Sequence, residues 1–271
     1  MPRRFDPFFR KKHKRPDSGP RSGEASGRSD ALGDAPLELP SLKLGEPFKF
    51  DAAFARRLTR RDVNPKEAFT VRDAAGAYFR ASLKESGPEG GTAVPYEACA
   101  LSPEPGVEIT LACAVLGRQR MLFVAQKATE LGVARIVPLF TEFSVQARDL
   151  AHEKAHAWPG QVVRAAKQCR RSSLPEIRPP MTLDAFLASP LADADLRLCL
   201  DNVGGESPAP ASAPRRIMLL IGPEGGFSDA ERAKLSGKTV SWELGGRVLR
   251  AETAVLVGLS AVQLKWGDFR S

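Results

Sequence analysis

The sequence lacks the features that mark membrane-bound, secreted and zinc-binding proteins. No apolar run approaches the roughly 20 residues that a membrane-spanning helix needs, and the basic start of the chain has no apolar signal-peptide core. The four cysteines are scattered, without a Cys-x-x-Cys pair for zinc or redox chemistry. We therefore expect a cytoplasmic protein, with no membrane partner, whose thiols are reduced and buried.

Histidine is also scarce, which argues against several classes of enzyme. The chain has His13, His152 and His156, and the last two have no carboxylate or cysteine to complete a metal site. No histidine stands near the glycine turns described below, which disfavours a Ser-His-Asp hydrolase. The Gly-x-Gly-x-x-Gly and Gly-x-x-x-x-Gly-Lys-Ser/Thr motifs of nucleotide-binding proteins are missing as well. We therefore predict no metal site and no phosphate-loop chemistry.

Positive charge is concentrated at the amino end of the chain. Residues 1–30 contain nine Lys or Arg and four Asp or Glu, so they supply +5 of the net charge of +8. The segment is rich in Gly, Ser and Pro and cannot bury much apolar surface, so we predict a disordered basic tail over residues 1–40. Two roles stay open for it: a solubility tail, or an arm that binds RNA without sequence specificity.

Two regions with different patterns follow the tail. Residues 41–105 contain short strand-like runs, such as Ala77–Leu83, between Gly, Pro and Asp residues, which predicts a small, mainly β domain. Prolines and a glycine at Ser102–Gly106 predict a break. In residues 106–271, strand and helix patterns alternate, which predicts a mostly parallel sheet covered by helices. The expected strands are 109–114, 134–140, 196–200, 217–221 and 240–244, and the expected helices are 120–131, 154–171 and 253–266.

The pentapeptide Gly-Pro-Glu-Gly-Gly occurs twice, at 87–91 and at 222–226. The first copy has no apolar strand before it, and we interpret it as a surface hairpin or loop. The second follows the apolar run Ile217–Ile221 and leads into Ser228–Glu231, the pattern of a capping box at the start of a helix. This order of strand, glycine turn and helix is typical of ligand sites at the carboxyl edge of an α/β sheet.

A second glycine turn, Leu244–Gly246, precedes the apolar final helix. Its backbone groups, with those of residues 222–226, would suit the donors and acceptors on the edge of an adenine ring, while Leu244, Val248 and Leu249 would pack on the face of the ring. The alternative is that these glycines only make tight turns.

Four blocks of the sequence carry a family resemblance. Ile221–Ser228 and Leu244–Ala254 resemble the signature of the RsmE family, the 16S rRNA uridine-N3 methyltransferases of the SPOUT class. Gln126–Val133 and Lys167–Ile177 resemble the middle region of that family, in matching order and spacing. The resemblance covers roughly residues 107–268, and a chance match of four ordered blocks is improbable.

The resemblance implies both a function and a fold. The function is S-adenosylmethionine-dependent methylation of N3 of a uridine in 16S rRNA of the small ribosomal subunit, carried out by a homodimer. The fold is α/β, a SPOUT-type knotted parallel sheet with helices on both faces and a carboxy-terminal trefoil knot, preceded by a small PUA-like β barrel that binds RNA. Two other functions stay open: a SPOUT RNA methyltransferase acting on another position, such as a ribose 2′-hydroxyl, and a non-catalytic RNA-binding factor in ribosome assembly.

The resemblance also implies a site for S-adenosylmethionine. It would be formed by Leu198, Leu200, Ile221, Gly222, Glu224, Gly225, Gly226, Leu244, Gly245, Val248, Leu249, Arg250 and Thr253. Methylation at N3 removes the imino proton and leaves negative charge on O2 and O4, which a cation would stabilise. Arg250 is the predicted cation because its planar fork fits oxygen acceptors, although it could instead pair with Glu252 or Glu224. Glu252 is the second candidate catalytic residue, as proton acceptor, although its position beside Thr253 favours capping of the last helix over that role.

Candidate RNA contacts lie in the helix expected at residues 154–171. Arg164, Lys167 and Arg171 fall on one face of it, and Arg170 stands near its end. Cations in such positions are suited to RNA phosphates, but a solvated helix face would show the same pattern.

Overall fold

The structure is a computed structural model, and it describes residues 32–201, 205 and 207–269. The predicted tail therefore lies outside the described residues up to residue 31. The strands are β1 (Leu32–Asp34), β2 (Glu38–Leu39), β3 (Phe48–Asp51), β4 (Ala68–Asp73), β5 (Tyr78–Gly87), β6 (Gly90–Ala98), β7 (Glu108–Ala114), β8 (Arg135–Phe140), β9 (Leu174–Ile177), β10 (Met181–Thr182), β11 (Leu196–Leu200), β12 (Arg216–Ile221) and β13 (Val240–Trp242). The helices are α1 (Ala52–Arg60), α2 (Arg118–Glu130), α3 (Trp158–Gln168), α4 (Leu183–Leu187), α5 (Asp229–Leu235) and α6 (Ala251–Trp266), with 3-10 turns at Ala147–Asp149, Ala155–Ala157 and Pro190–Ala192.

The larger sheet has the strand order β1-β9-β8-β7-β12-β11-β13, with β10 paired to β8. Its strands pair in parallel, except that β1 runs antiparallel to β9. Alternate residues of β12 enter two separate cores: Ile217 packs with α2, α3 and α6, whereas Met218 packs with α4 and α5. Because the strand is buried on both faces, its sequence is a continuous apolar run rather than an alternating one. The predicted α/β sheet with helices on both faces is confirmed.

The smaller sheet has the order β2-β4-β5-β6-β3 and its own apolar core. Strands β5 and β6 form a hairpin whose turn is the first Gly-Pro-Glu-Gly-Gly copy, as predicted. Helix α1 was not predicted in this β region. Asp51 caps it by accepting a hydrogen bond from the amide of Phe54 at 2.8 Å, and Phe54 and Leu58 pack into the core. The four-residue spacing of Phe54 and Leu58 and the preceding Asp51 both indicate a helix, but the strand-like runs on either side masked this signal.

The predicted end of the tail at residue 40 is too late. Residues 32–34 form β1 at the edge of the larger sheet, and residues 38–39 form β2 in the smaller one. Two arginines of the α1 region, Arg57 and Arg61, pair with Asp34 at 2.9 and 3.0 Å. Strands of two or three residues are too short for a periodic pattern, so only their partners reveal them.

Seven of the eight elements predicted with bounds in the larger region begin and end within two residues of those bounds, and one helix does not. Strands β9 and β10 and helix α4 were not predicted. Helix α3 spans Trp158–Gln168 rather than 154–171. Pro159 stands in its first turn, and Arg170 adopts a left-handed conformation, with φ of +64°, after its end. Within the part of the chain that the structure describes, no helix is long and apolar enough to cross a membrane.

Candidate active site

A cavity of about 310 Å³ lies at the carboxyl ends of β11 and β12. Its volume is within the range of small-molecule sites, about 300–1,000 Å³. The structure brings the two glycine turns together here, since each contributes part of the wall. The lining residues are Leu200, Asp201, Ile221, Gly222, Pro223, Glu224, Gly225, Gly226, Phe227, Arg232, Trp242, Leu244, Gly245, Arg247, Val248, Leu249, Ala251, Ala254 and Val257.

Ten of the thirteen predicted cofactor residues line this cavity: Leu200, Ile221, Gly222, Glu224, Gly225, Gly226, Leu244, Gly245, Val248 and Leu249. Leu198 is different, because it is fully buried in the apolar core, opposite Leu219 of β12. It lies two residues before the strand end, where neighbouring strands and helices surround it. The inclusion of Leu198 among cofactor contacts is therefore corrected, and it is a core residue.

Several lining residues were absent from the prediction, and helix α6 supplies three of them. Ala251, Ala254 and Val257 follow one another at intervals of three on one face of the helix. The small side chains of the first two let the helix approach the cavity closely. The spacing was visible in the sequence, but nothing in it showed which face of α6 would meet the glycine turns.

Two ion pairs border the cavity. Arg232 of α5 pairs with Asp201, which follows β11, and donates a second hydrogen bond to the carbonyl of Phe227 at 3.0 Å. Arg120 of α2 pairs with Glu224, whose side chain is 42% exposed. The first pair fixes the strand end against the turn, whereas the second lies at the solvent-exposed rim, where an ion pair is stabilised only weakly.

The second Gly-Pro-Glu-Gly-Gly copy leads into a capped helix, as predicted. Ser228 accepts a hydrogen bond from the amide of Glu231 at 3.4 Å, and the Glu231 carboxylate accepts one from the amide of Ser228 at 3.0 Å. The other Glu231 oxygen accepts a hydrogen bond from the amide of Glu142 at 2.9 Å. One carboxylate thus holds the start of α5 and the loop after β8 together.

The two predicted catalytic residues stand at the start of α6. Arg250 is the N-cap residue, and its side chain is exposed next to the lining residues Leu249 and Ala251. Because α6 begins at residue 251, the capping role considered for Glu252 and Thr253 is wrong. Glu252 lies in the first turn, and its Oε2 is buried without a hydrogen-bond partner among the described residues. A buried carboxylate oxygen of this kind is a candidate proton acceptor.

A second arginine in the same turn was not predicted. Arg247 lines the cavity, whereas Arg250 and Thr253 stand beside it.

Cys199 lies in β11, one residue before the strand ends, and burial raises the pKa of its thiol to about 12. A thiol with so high a pKa is protonated at neutral pH and is not a nucleophile.

The four candidate RNA contacts differ in environment. Arg164 and Arg170 are exposed on the protein surface, where Arg164 donates to Gln161 at 2.6 Å. Lys167 instead joins α3 to the loop between α1 and β4: it donates to the carbonyl of Asp62 at 2.6 Å and to Glu67 at 2.7 Å. The side-chain hydrogen bond from Lys167 lowers the pKa of Glu67.

Arg171 does not fit the predicted role as a phosphate contact. It is buried, and all three of its guanidinium nitrogens are hydrogen-bonded, to Glu104, Ser173 and the carbonyls of Thr129 and Val133. Burial alone would raise the pKa of Glu104, but the Arg171 charge and the hydrogen bonds from Ser173 outweigh it and lower the pKa. Arg171 therefore stabilises the fold. An arginine near the end of a predicted helix has the same sequence pattern whether it is buried or exposed, so the sequence did not reveal this role.

A protein-family model supplies the first comparison. The model described as an RNA methyltransferase domain matches residues 102–263. A ribosomal RNA small subunit methyltransferase E from Buchnera aphidicola is 34% identical over 165 residues, which are 55% of this chain and 62% of that relative. The chain thus spans less than two thirds of the length of this relative.

Solved structures extend the comparison over more of the chain. A putative methyltransferase from Legionella pneumophila with bound S-adenosylmethionine is 30% identical, with a TM-score of 0.61, and the match covers 86% of this chain and 98% of that one. A ribosomal RNA small subunit methyltransferase E from Neisseria gonorrhoeae, also bound to S-adenosylmethionine, is 27% identical with a TM-score of 0.61, over 87% and 99% of the two chains.

Proposed function

Because the chain belongs to the RNA methyltransferase domain family and, within it, to the RsmE family, we propose that it methylates N3 of a uridine in 16S rRNA of the small ribosomal subunit. The methyl donor is S-adenosylmethionine, as in the two solved structures it resembles. The observation that carries the proposal is the cavity in which the two glycine turns of the family signature meet.

The residues of the cavity fit S-adenosylmethionine. Backbone groups of residues 222–226 and 244–249 would hold the edge of an adenine ring, and Leu200, Ile221 and Val248 would give it apolar contacts. The carboxylates of Asp201 and Glu224 suit ribose hydroxyls and a positive charge. When bound, the cofactor supplies a methyl group on a sulfonium cation.

The residues at the start of α6 act on the uracil. Arg250 donates hydrogen bonds to the oxygens that become negative as N3 loses its proton. The carboxylate of Glu252, two residues after Arg250 in the first turn of α6, accepts that proton. Arg247 lines the cavity and is a second cation near the uracil. Separate alanine substitutions of Arg247 and Arg250 show which of the two supports methylation.

The proposed architecture is that of the SPOUT class. Residues 106–271 form the methyltransferase domain, with a trefoil knot built from the segments that carry the two glycine turns. Residues 41–105, extended by β2, form a PUA-like barrel, for which the curled five-stranded sheet is the supporting observation. The chain acts as a cytoplasmic homodimer, and Arg164 and Arg170 contact the phosphates of 16S rRNA.

The test is methylation of small subunits isolated from cells that lack this modification. Wild-type protein should bind S-adenosylmethionine in calorimetry and add one methyl group, which mass spectrometry assigns to the base rather than the ribose. Arg250→Ala should lower the methylation rate at least ~100-fold while cofactor affinity stays within about twofold. Arg247→Ala is measured in parallel.

Arg197→Ala is the matched control, because Arg197 is a half-buried arginine at the other end of β11, paired with Asp193 at 3.4 Å. It should retain full activity. Failure of the wild-type protein to bind the cofactor would overturn the proposal, and a ribose methyl would reassign the target atom. Cofactor and RNA binding without methyl transfer would instead indicate an assembly factor.

A further inference from the structure

The loop that follows β8 presents an exposed phenylalanine, although the loop itself is tightly held. Thr141 and Ser144 exchange hydrogen bonds at 2.9 and 3.0 Å, and Gln146 donates to the carbonyl of Thr141 at 2.9 Å. The amide of Val145 donates to the carbonyl of Val115, the residue after β7, at 3.0 Å. Phe143, at the tip, is nevertheless 51% exposed. Local hydrogen bonds therefore fix a large apolar side chain in solvent.

Phe143 lies against the wall of the cavity. A Cβ atom added to Gly225 would stand 3.0 Å from the Phe143 Cβ and 3.2 Å from its Cγ. Only glycine allows this approach without a shift of the neighbouring side chain. Since Gly225 also lines the cavity, one backbone segment separates the cavity from the aromatic ring.

An open groove runs from Phe143 to the cavity. Its walls are formed by Glu142, Phe143, Phe227, Ser228, Asp229, Ala230 and Arg232. Phe227 and Arg232 line both spaces, so the groove adjoins the cavity directly. The groove carries the carboxylates of Glu142 and Asp229, and its arginine is already paired with Asp201.

We propose that Phe143 is a stacking platform for a base of the RNA substrate, beside the methyl-donor cavity. The inference rests on the proposed function and adds a positioning residue to it. RNA-binding proteins read single-stranded RNA by stacking splayed-out bases on aromatic rings, and each stacked base contributes measurably to affinity. A ring fixed next to the cavity holds such a base beside the methyl-donor site.

The charges of the groove favour a base over a phosphate as its occupant. Carboxylates repel phosphate but accept hydrogen bonds from the amino and imino groups of bases. Arg232, the cation that could attract phosphate there, is held by Asp201 and the carbonyl of Phe227. The base therefore enters the groove, while its phosphates lie outside.

The experiment compares substitutions that keep or remove the ring. Phe143→Leu keeps an apolar side chain but removes the aromatic stacking surface. Phe143→Tyr keeps the aromatic stacking surface. With undermethylated small subunits as substrate, Phe143→Leu should lower kcat/KM by about 5- to 100-fold, mainly through KM. Phe143→Tyr should keep kcat/KM near the wild-type value. The dissociation constant for S-adenosylmethionine should stay within about twofold of wild type in both variants. Phe123→Leu, at an exposed phenylalanine of α2, is the matched control and should behave like wild type.

The outcomes separate the inference from the proposed function. If wild-type protein methylates the subunits and Phe143→Leu does so equally well, the stacking role is wrong while the function stands. A change of molecular mass in solution on Phe143→Leu, with unchanged KM, would place Phe143 in a contact between two copies of the chain and would also overturn the inference. An inactive wild-type protein contradicts the proposed function itself.

Discussion

The two Gly-Pro-Glu-Gly-Gly copies share five residues but have different structural roles. At 87–91 the pentapeptide turns the hairpin between β5 and β6, and Gly87 pairs with Gly90 across the turn. At 222–226 the same residues follow β12 and form one wall of the cavity. The first copy connects two antiparallel strands in the smaller sheet, whereas the second ends a buried parallel strand and leads to a capped helix.

The difference shows that the elements on either side decide what a glycine turn does. In the hairpin, the glycines let two backbones approach, since a Cβ on Gly90 would stand 2.1 Å from the carbonyl oxygen of Phe50. In the cavity wall, the glycine at the equivalent position, Gly225, meets the side chain of Phe143 instead. Replacement of equivalent residues should therefore affect folding in one copy and ligand binding in the other.

The largest expected effect is on stability, from Gly90→Ala. Gly90 has φ of +133° and stands against the backbone of Phe50 and Asp51, so alanine there is both strained and in steric conflict. We expect a loss of about 3 kcal/mol in the free energy of unfolding, measured by urea denaturation. Gly225→Ala, at the equivalent position, should cost about 1 kcal/mol because the Cβ and Cγ of Phe143, at 3.0 and 3.2 Å, have to shift only slightly.

Gly87→Ala is the internal control for the hairpin, because the nearest atom to an added Cβ is 3.9 Å away. It should change stability by less than about 0.5 kcal/mol. Cofactor affinity should be unchanged in both hairpin variants. Equal stability losses for Gly90→Ala and Gly87→Ala would contradict the assigned difference.

The glutamates of the two copies give the second comparison. Glu224 lines the cavity, whereas Glu89 is exposed at the hairpin turn. Glu224→Gln removes a negative charge from the proposed sulfonium site and leaves Arg120 without its ion-pair partner there. We expect calorimetry to show a loss of about tenfold in S-adenosylmethionine affinity, or about 1.4 kcal/mol. Glu89→Gln should leave the affinity unchanged, and a loss of similar size in that variant would argue against a local role for Glu224.

Strong periodic patterns predicted most of the larger region. The mainly apolar runs of β7, β11 and β12 marked their strands within one residue, because strands of a parallel sheet covered on both faces are mostly apolar. The family motif likewise placed the two glycine turns, since it depends on a few ordered residues rather than on periodicity.

Features that depend on distant partners were not predictable. Strand β1 is too short to show a pattern and exists through its pairing with β9, about 140 residues later in the chain. Arg171 matched the exposed-cation pattern of Arg164, yet a carboxylate in the loop before β7, Glu104, draws it into the interior. Arg232 of α5 and Arg247, just after the second glycine turn, both line the cavity, but no spacing rule specified the directions of their side chains.

The smallest expected effect concerns the residues that follow the two copies. Ser228 caps α5 after the second copy, whereas the equivalent residue after the first, Ala93, is buried in β6. Ser228→Ala removes the acceptor for the amide of Glu231 and should lower the free energy of unfolding by about 1 kcal/mol, measured by urea denaturation. Ser228→Thr keeps a hydroxyl at the N-cap and should retain most of the stability. Equal losses in both variants would mean that packing around residue 228, rather than the cap, separates the second copy from the first.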